Sequence, residues 1–186
     1  MATVLAVMTL VTSAAVPSLD GYVLLAQQVR AQHDVRTLAV SMLRLRMDVN
    51  GQIHNPGGAG TYTLLVGDGN RPGIPLGGDR EWGLPPGAPE VDRLADHLVI
   101  NGPDYRPVAA NIRSGWRGPY LDAPAIKPDP WGHRYALNAR GLQNGESFVV
   151  IVLSAGPNGI VETPFFEVDG ELDPGDDVYA LVAGSR

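Results

Sequence analysis

The side chains of this chain that could do chemistry are spread thinly. The four histidines, His33, His54, His97 and His133, stand too far apart in sequence to make a zinc-binding pair. There is no cysteine, which excludes disulfides, thiolate metal sites and a thiol nucleophile. No Gly-x-Ser-x-Gly elbow, phosphate-cradling loop or His-Glu-x-x-His helix occurs. Each histidine therefore reads as a surface or packing residue. The acidic residues show more pattern. Glu162, Glu167, Asp169, Glu171, Asp173, Asp176 and Asp177 crowd a glycine-bearing stretch near the end of the chain. Two short acidic runs, Asp68 to Asn70 and Gly77 to Asp79, bear a faint likeness to calcium loops.

The composition limits what such residues can serve. A length of 186 residues suits one compact domain with an extended element. The 23 glycines and 16 prolines predict long turns and loops rather than many helices. A net charge of −6 without a lysine- or arginine-rich block leaves no footprint for nucleic acid. A small, loop-rich exported domain without disulfides needs some other staple, and a bound metal is one choice.

The elements that must hold these residues begin with an uncharged run, Ala2 to Val16. Three readings compete for it: the apolar core of a cleaved signal peptide, a buried helix, or a membrane span whose first residues precede Met1. The continuation favours the last. After Pro17 the chain carries no proline until residue 56, and Val35, Leu38, Met42, Leu45 and Val49 recur at steps of three and four. That is one apolar stripe of an amphipathic helix. Asn50-Gly51 supplies a left-handed stop. Ala2 to Val49 thus reads as a single helix of about 70 Å at 1.5 Å per residue, kinked at Pro17. A cleaved leader has no reason to run on into such a helix.

Further along, Gly51 to Pro89 holds 11 glycines and 6 prolines and reads as a long surface loop, with only Thr61 to Val66 strand-like. Pro89 to Val99 reads as a short helix with Val91, Leu94, Ala95 and Leu98 on one face. Gly115 to Tyr135, GWRGPYLDAPAIKPDPWGHRY, combines an Asp129-Pro130 turn with two indole plates, Trp116 and Trp131, which read as packing residues. Tyr135 to Asn138 and Ser147 to Ser154 read as an antiparallel hairpin joined through Gly141, Asn144 and Gly145, with Phe148 to Leu153 a central strand.

Two of these stretches resemble the type IV pilin class, and most closely the major pseudopilins of type II secretion systems. In the helix the matching residues are Ala15, Val16, Pro17, Leu19, Tyr22, Arg30, Ala31, Asp34, Val35, Arg36, Thr37 and Leu38. In the second half they are Trp116, Gly118, Pro119, Tyr120, Leu121, Asp129, Pro130, Trp131, Gly132 and Tyr135. The glycine, aromatic and glutamate of the family's prepilin signature do not occur ahead of Pro17. Aligned through Pro17, Met1 falls just beyond that glutamate, so the signature lies upstream or the subunit lacks it. The resemblance also implies a structural calcium loop. Ser154, Ala155, Gly156, Pro157, Asn158 and Gly159 match its first part, and Asp176 and Asp177 match its acidic pair. The implied metal ligands are Ala155 through its carbonyl, Asn158, Asp176 and Asp177. Asparagine at 158 replaces the family's aspartate, and the intervening loop is longer, so one of its acidic residues becomes a candidate substitute ligand.

The fold implied is α+β, pilin-like: a long N-terminal helix packed on a small antiparallel sheet with a loop-rich C-terminus. Residues 1–20 form the membrane or filament-core half of the helix. Residues 21–186 form a periplasmic or extracellular domain, divided into half-helix 21–50, loop 51–89, and sheet and calcium-type loop 115–186. The resemblance implies a non-enzymatic subunit of a helical filament that supports protein export. Its partners are copies of itself, other pseudopilins, inner-membrane assembly-platform proteins and, before assembly, the membrane. The alternatives are a type IV pilus subunit for adhesion or motility, and a secreted monomeric calcium-binding domain with a cleaved leader.

Overall fold

The computed structural model describes residues 2–51, 53, 63–108, 114–122, 126–142, 148–168 and 172–183, and of residues 2–20 only the backbone. Helix α1 runs unbroken from Ala2 to Asp48, 47 residues, through Pro17. Its end is a Schellman motif. Asn50 adopts φ 59° and Gly51 φ 80°, while Gly51 N–H donates to the Arg46 carbonyl (2.7 Å) and Asn50 N–H to that of Met47 (3.4 Å). The stripe expected from spacing is the one that is buried: Val35, Leu38, Met42 and Leu45 are at most 4% exposed, joined by Ala31 and Ala39. Among the residues whose side chains are described, no helix is long and apolar enough to cross a membrane. The run Ala2 to Val16 lies outside them.

Behind α1 stands a five-stranded sheet. Its strands are β1 (Leu64–Val66), β2 (Val91–Arg93), β3 (Ala136–Asn138), β4 (Val150–Ser154) and β5 (Val178–Ala183), in the order β2-β1-β3-β4-β5. The expectation of an antiparallel sheet needs correction. β1 and β2 run parallel, Leu64 opposite Val91, and the remaining pairs are antiparallel. The parallel pair arises because residues 67–90 loop right around before β2 begins, as a crossover connection must. The predicted helix at 89–99 is likewise divided, β2 passing directly into α2 (Leu94–Leu98). The predicted hairpin turn at 143–147, and Thr61 and Tyr62 of the predicted first strand, lie outside the described residues.

Side chains alternate across the sheet as the two-residue period demands. Leu65, Leu137, Val150 and Val152 face α1, together with Val182. Leu64, Val66, Ala136, Ile151 and Leu153 face the other way and meet Trp82, Val161 and Phe165. The inner strands β1, β3 and β4 are thus buried on both faces. The sheet's second cover comes from the Gly/Pro-rich segment, which therefore does not behave as the plain surface loop that its composition suggested. Trp82 sits in a 3₁₀ turn, Arg80–Gly83, 1% exposed, and meets Phe165 edge to face at 4.6 Å. Its indole N–H donates to the Thr163 carbonyl (2.9 Å), so the ring is buried without orphaning its polar atom. Asn138, 2% exposed, sits in the same layer with its amide donating to the Val149 and Phe165 carbonyls and accepting from Ile151 N–H.

The C-terminal end of α1 is tied down by the Trp116 segment. Ser41 Oγ donates to the Tyr120 carbonyl (3.2 Å), the Tyr120 hydroxyl to Asp48 (2.9 Å) and Gly115 N–H to the Asp48 carbonyl (2.6 Å). Trp116 donates its indole N–H to the carbonyl of His97, a fully buried residue of α2. Two substitutions weigh the two covers separately. Met42→Ala is expected to cost about 2–5 kcal/mol and Trp82→Ala about 3–5 kcal/mol in urea unfolding, against less than about 0.5 kcal/mol for exposed Met47→Ala. A Trp82→Ala protein as stable as the parent would show that the second face needs no cover.

Candidate cation-binding loop

The loop begins where β4 ends, and one carboxylate sets its start. Asp129, 4% exposed, accepts through Oδ1 from the N–H groups of Trp131 (3.0 Å) and His133 (2.8 Å), which winds the Asp129-Pro130-Trp131-Gly132 turn around it. Gly132 closes the turn at φ 91°, a backbone state that a side chain would oppose. Its other oxygen accepts the hydroxyl of Ser154 at 2.5 Å. Two motifs 25 residues apart in sequence are therefore joined by a single buried acid.

This also brings a serine, an aspartate and a histidine together, in an order that yields no nucleophile. The Ser154 proton faces the carboxylate of Asp129, Ser154 is fully buried, and His133 Nδ1 stands 4.0 Å from Asp129 Oδ1, on the side away from the hydroxyl. An activated serine needs the imidazole as its immediate base.

Beyond Ser154 the chain turns through Gly156 and Gly159, both at positive φ. At Gly156 an added Cβ would strike the backbone of Asp176, so the absence of a side chain is what lets the 174–177 segment close in. Asn158 N–H then reaches Asp176 Oδ2 (3.4 Å), and Glu162 accepts Asp176 N–H through Oε2 (3.1 Å). Asp177, 7% exposed, spends Oδ2 on three donors: Glu162 N–H (2.8 Å), Thr163 N–H (2.7 Å) and Thr163 Oγ1 (2.7 Å).

The remaining oxygens carry the interest. Asp176 Oδ1 and Asp177 Oδ1 are both buried and accept no hydrogen bond. Burial raises the Asp177 pKa, three hydrogen bonds oppose that rise, and the neighbouring Asp176 charge adds to it. An ionised buried oxygen without donors is costly, and the neighbouring Asp176 charge adds to that cost at Asp177. A bound cation removes both penalties, so the donor set fits one. Of the four ligands implied by the sequence, Asp176 and Asp177 offer free oxygens. Asn158 turns its Oδ1 back to Ile160 N–H (2.6 Å). Ala155 is buried at the root of the turn. Among the described residues no group of three or more His, Cys, Asp or Glu side chains is arranged to hold a metal. Carboxylates from Asp176 and Asp177, backbone carbonyls and water would complete a calcium shell.

Of the longer loop's acidic residues, Glu162 bonds directly to the pair, accepting Asp176 N–H. Asp169 and Glu171 lie outside the described residues. Asp68 of the first faint calcium run pairs with Arg93 at 2.7 Å, and Asp79 of the second accepts Phe165 N–H at 2.6 Å. Spacing gave no hint of Thr163, which belongs to the site through Asp177. Nor did it reveal that residues 73–82 brace the loop from outside. Gly73 exchanges backbone bonds with Gly159 and Val161, while Trp82 holds the carbonyl of Thr163.

Comparison of the chain with protein-family models, with curated proteins and with solved structures gave no significant match.

Calcium at about 100 times its dissociation constant should add about 2.7 kcal/mol of stability. A chelator should remove that increment, and Asp177→Ala should abolish the response to calcium. The pH dependence has a definite sign. Asp177 holds its proton more tightly folded than unfolded, so the metal-free fold gains stability from this group as pH falls from neutral through the raised folded pKa toward the ordinary value of 3.8. The calcium form requires the ionised acid, so the melting curves with calcium and with chelator should converge across that interval. A gap that stays constant with pH would show that these carboxylates are not the ligands.

Proposed function

We propose that this chain is a structural subunit of a helical filament of the pseudopilus kind, built by stacking copies of itself. The observation that carries this reading is a second apolar stripe on α1, on the side away from the sheet. Tyr22, Leu25, Val29, Val40, Leu43 and Met47 follow steps of three and four through Gln32 or His33 and Arg36. All six are exposed, Tyr22 at 71% and Met47 at 72%. The first stripe buries α1 against its own domain, so this one is left for another molecule. Its spacing suits contact along the length of a further helix. The stripe points back along the same helix to the run Ala2 to Val16, which carries no charged residue.

In this reading the leading run holds the subunit in the bacterial inner membrane, with its domain in the periplasm, until assembly-platform proteins pass it into the filament. The contacts are heterologous and the polymer stays open. The role is structural, and calcium serves only to order the C-terminal loop, which has little core of its own. Secretion, rather than surface adhesion, is the use favoured by the Trp116–Tyr120 and Asp129–Gly132 motifs.

Electron microscopy of assembled fibres tests this. Val4→Asp, Leu10→Asp and Val29→Asp should each abolish filaments while leaving the unfolding of the domain within about 0.5 kcal/mol of the parent. Normal filaments from all three would sink the reading.

A further inference from the structure

Arg134 raises a question that filament assembly does not answer. It is 1% exposed, in the layer between the sheet and the 67–90 segment. Its Nη2 donates to the carbonyls of Trp82 (3.0 Å) and Leu84 (2.8 Å), which pins that segment to the strand. Its Nε and Nη1 are buried and donate to nothing. No ion pair among the described residues includes it. The formal charge that acts on it, that of Arg71, has the same sign. Asn70 and His133 form a parallel bridge, with Arg134 N–H donating to the Asn70 carbonyl (2.9 Å), and this sets Arg71 beside Arg134. Burial and the Arg71 charge together lower the Arg134 pKa to about 10.

Buried guanidinium groups are ordinarily matched by a carboxylate or by carbonyls on every N–H. Here two carbonyls serve one nitrogen, two nitrogens are left over, and a second cation sits next to the first. A water molecule would answer the missing hydrogen bonds but not the doubled charge. A small anion answers both, since it accepts from Arg134 and neutralises the Arg71 repulsion. We propose that Arg134 and Arg71 form a binding site for a small inorganic anion of the halide class, which locks the 67–90 segment against the sheet. Arg134 supplies the buried donors. Arg71, which is exposed, closes the site from the solvent side. The proposal is independent of both the filament and the calcium readings.

The test uses the full chain in non-ionic detergent with chelator present, at fixed ionic strength, exchanging a bulky sulfonate for chloride. Chloride should raise the melting temperature by several degrees along a saturating curve and broaden the chloride NMR line. Arg71→Ala should weaken the half-saturation point several-fold, and Arg134→Met should eliminate the dependence altogether. If Arg134→Met does not fold, the Arg71→Ala titration and the line width decide between the outcomes. Equal melting in sulfonate and chloride, with no excess line width, would overturn the proposal and leave water as the partner of Nε and Nη1. An unchanged chloride response in Arg134→Met would overturn it equally.

Discussion

The molecule is organised by a sheet that is apolar on both faces. β3 and β4 are short, and every residue in them is buried, so neither face can be left to water without exposing Leu137, Val150 and Val152 on one side or Ile151 and Leu153 on the other. Helix α1 covers the first face with a single stripe. The second face is covered by pieces with little regular structure of their own, the Trp82 turn and the Val161–Phe165 strip. Apolar area drives this closure. Because the cover is loop, its carbonyls and N–H groups also need partners, and these come from Arg134, Asn138 and Asp79.

Polar side chains do the joining that long strands do elsewhere. Asp129 winds one turn and captures Ser154, Asp177 gathers Glu162 and Thr163, and Asp48 ties the end of α1 to the Trp116 segment. Asp129 and Asp177 each accept three hydrogen bonds through their carboxyl groups. Their satisfaction is uneven in a way that points outward. Asp129 is filled, whereas Asp176 and Asp177 keep two oxygens free and Arg134 keeps two nitrogens. These unfilled groups of opposite sign, at separate places, are the observations on which the two proposed ion sites rest.

A filament subunit also has to leave part of itself unfinished. The outer stripe of α1, apolar on either side of Gln32, His33 and Arg36, would be a liability on a solitary soluble domain, where exposed apolar surface favours association. On a subunit that stacks, the same stripe is the interface. The proposed role thus turns on the contrast between two faces of one helix rather than on any reactive group.

How much of this was legible in the sequence follows from the range of each interaction. The helix, its buried stripe and its Asn50-Gly51 stop depend on residues within a few positions of one another, and spacing displays them directly. The strands at Leu64–Val66 and Val150–Ser154 were readable for the same reason, as was the gathering of acids near Asp176. The parallel pairing of β1 with β2, the burial of Trp82, the Asp129–Ser154 bond and the unpartnered atoms of Arg134 depend on residues brought together from 25 to 81 positions apart. Those contacts are selected by which segments can close over the exposed face of the sheet. Local composition is blind to that choice, and a glycine- and proline-rich segment reads the same whether it wanders in solvent or folds back as a lid. The sequence by itself determined the rod and the pattern on it, whereas tertiary structure decided what covers the sheet and which charges are left wanting a partner.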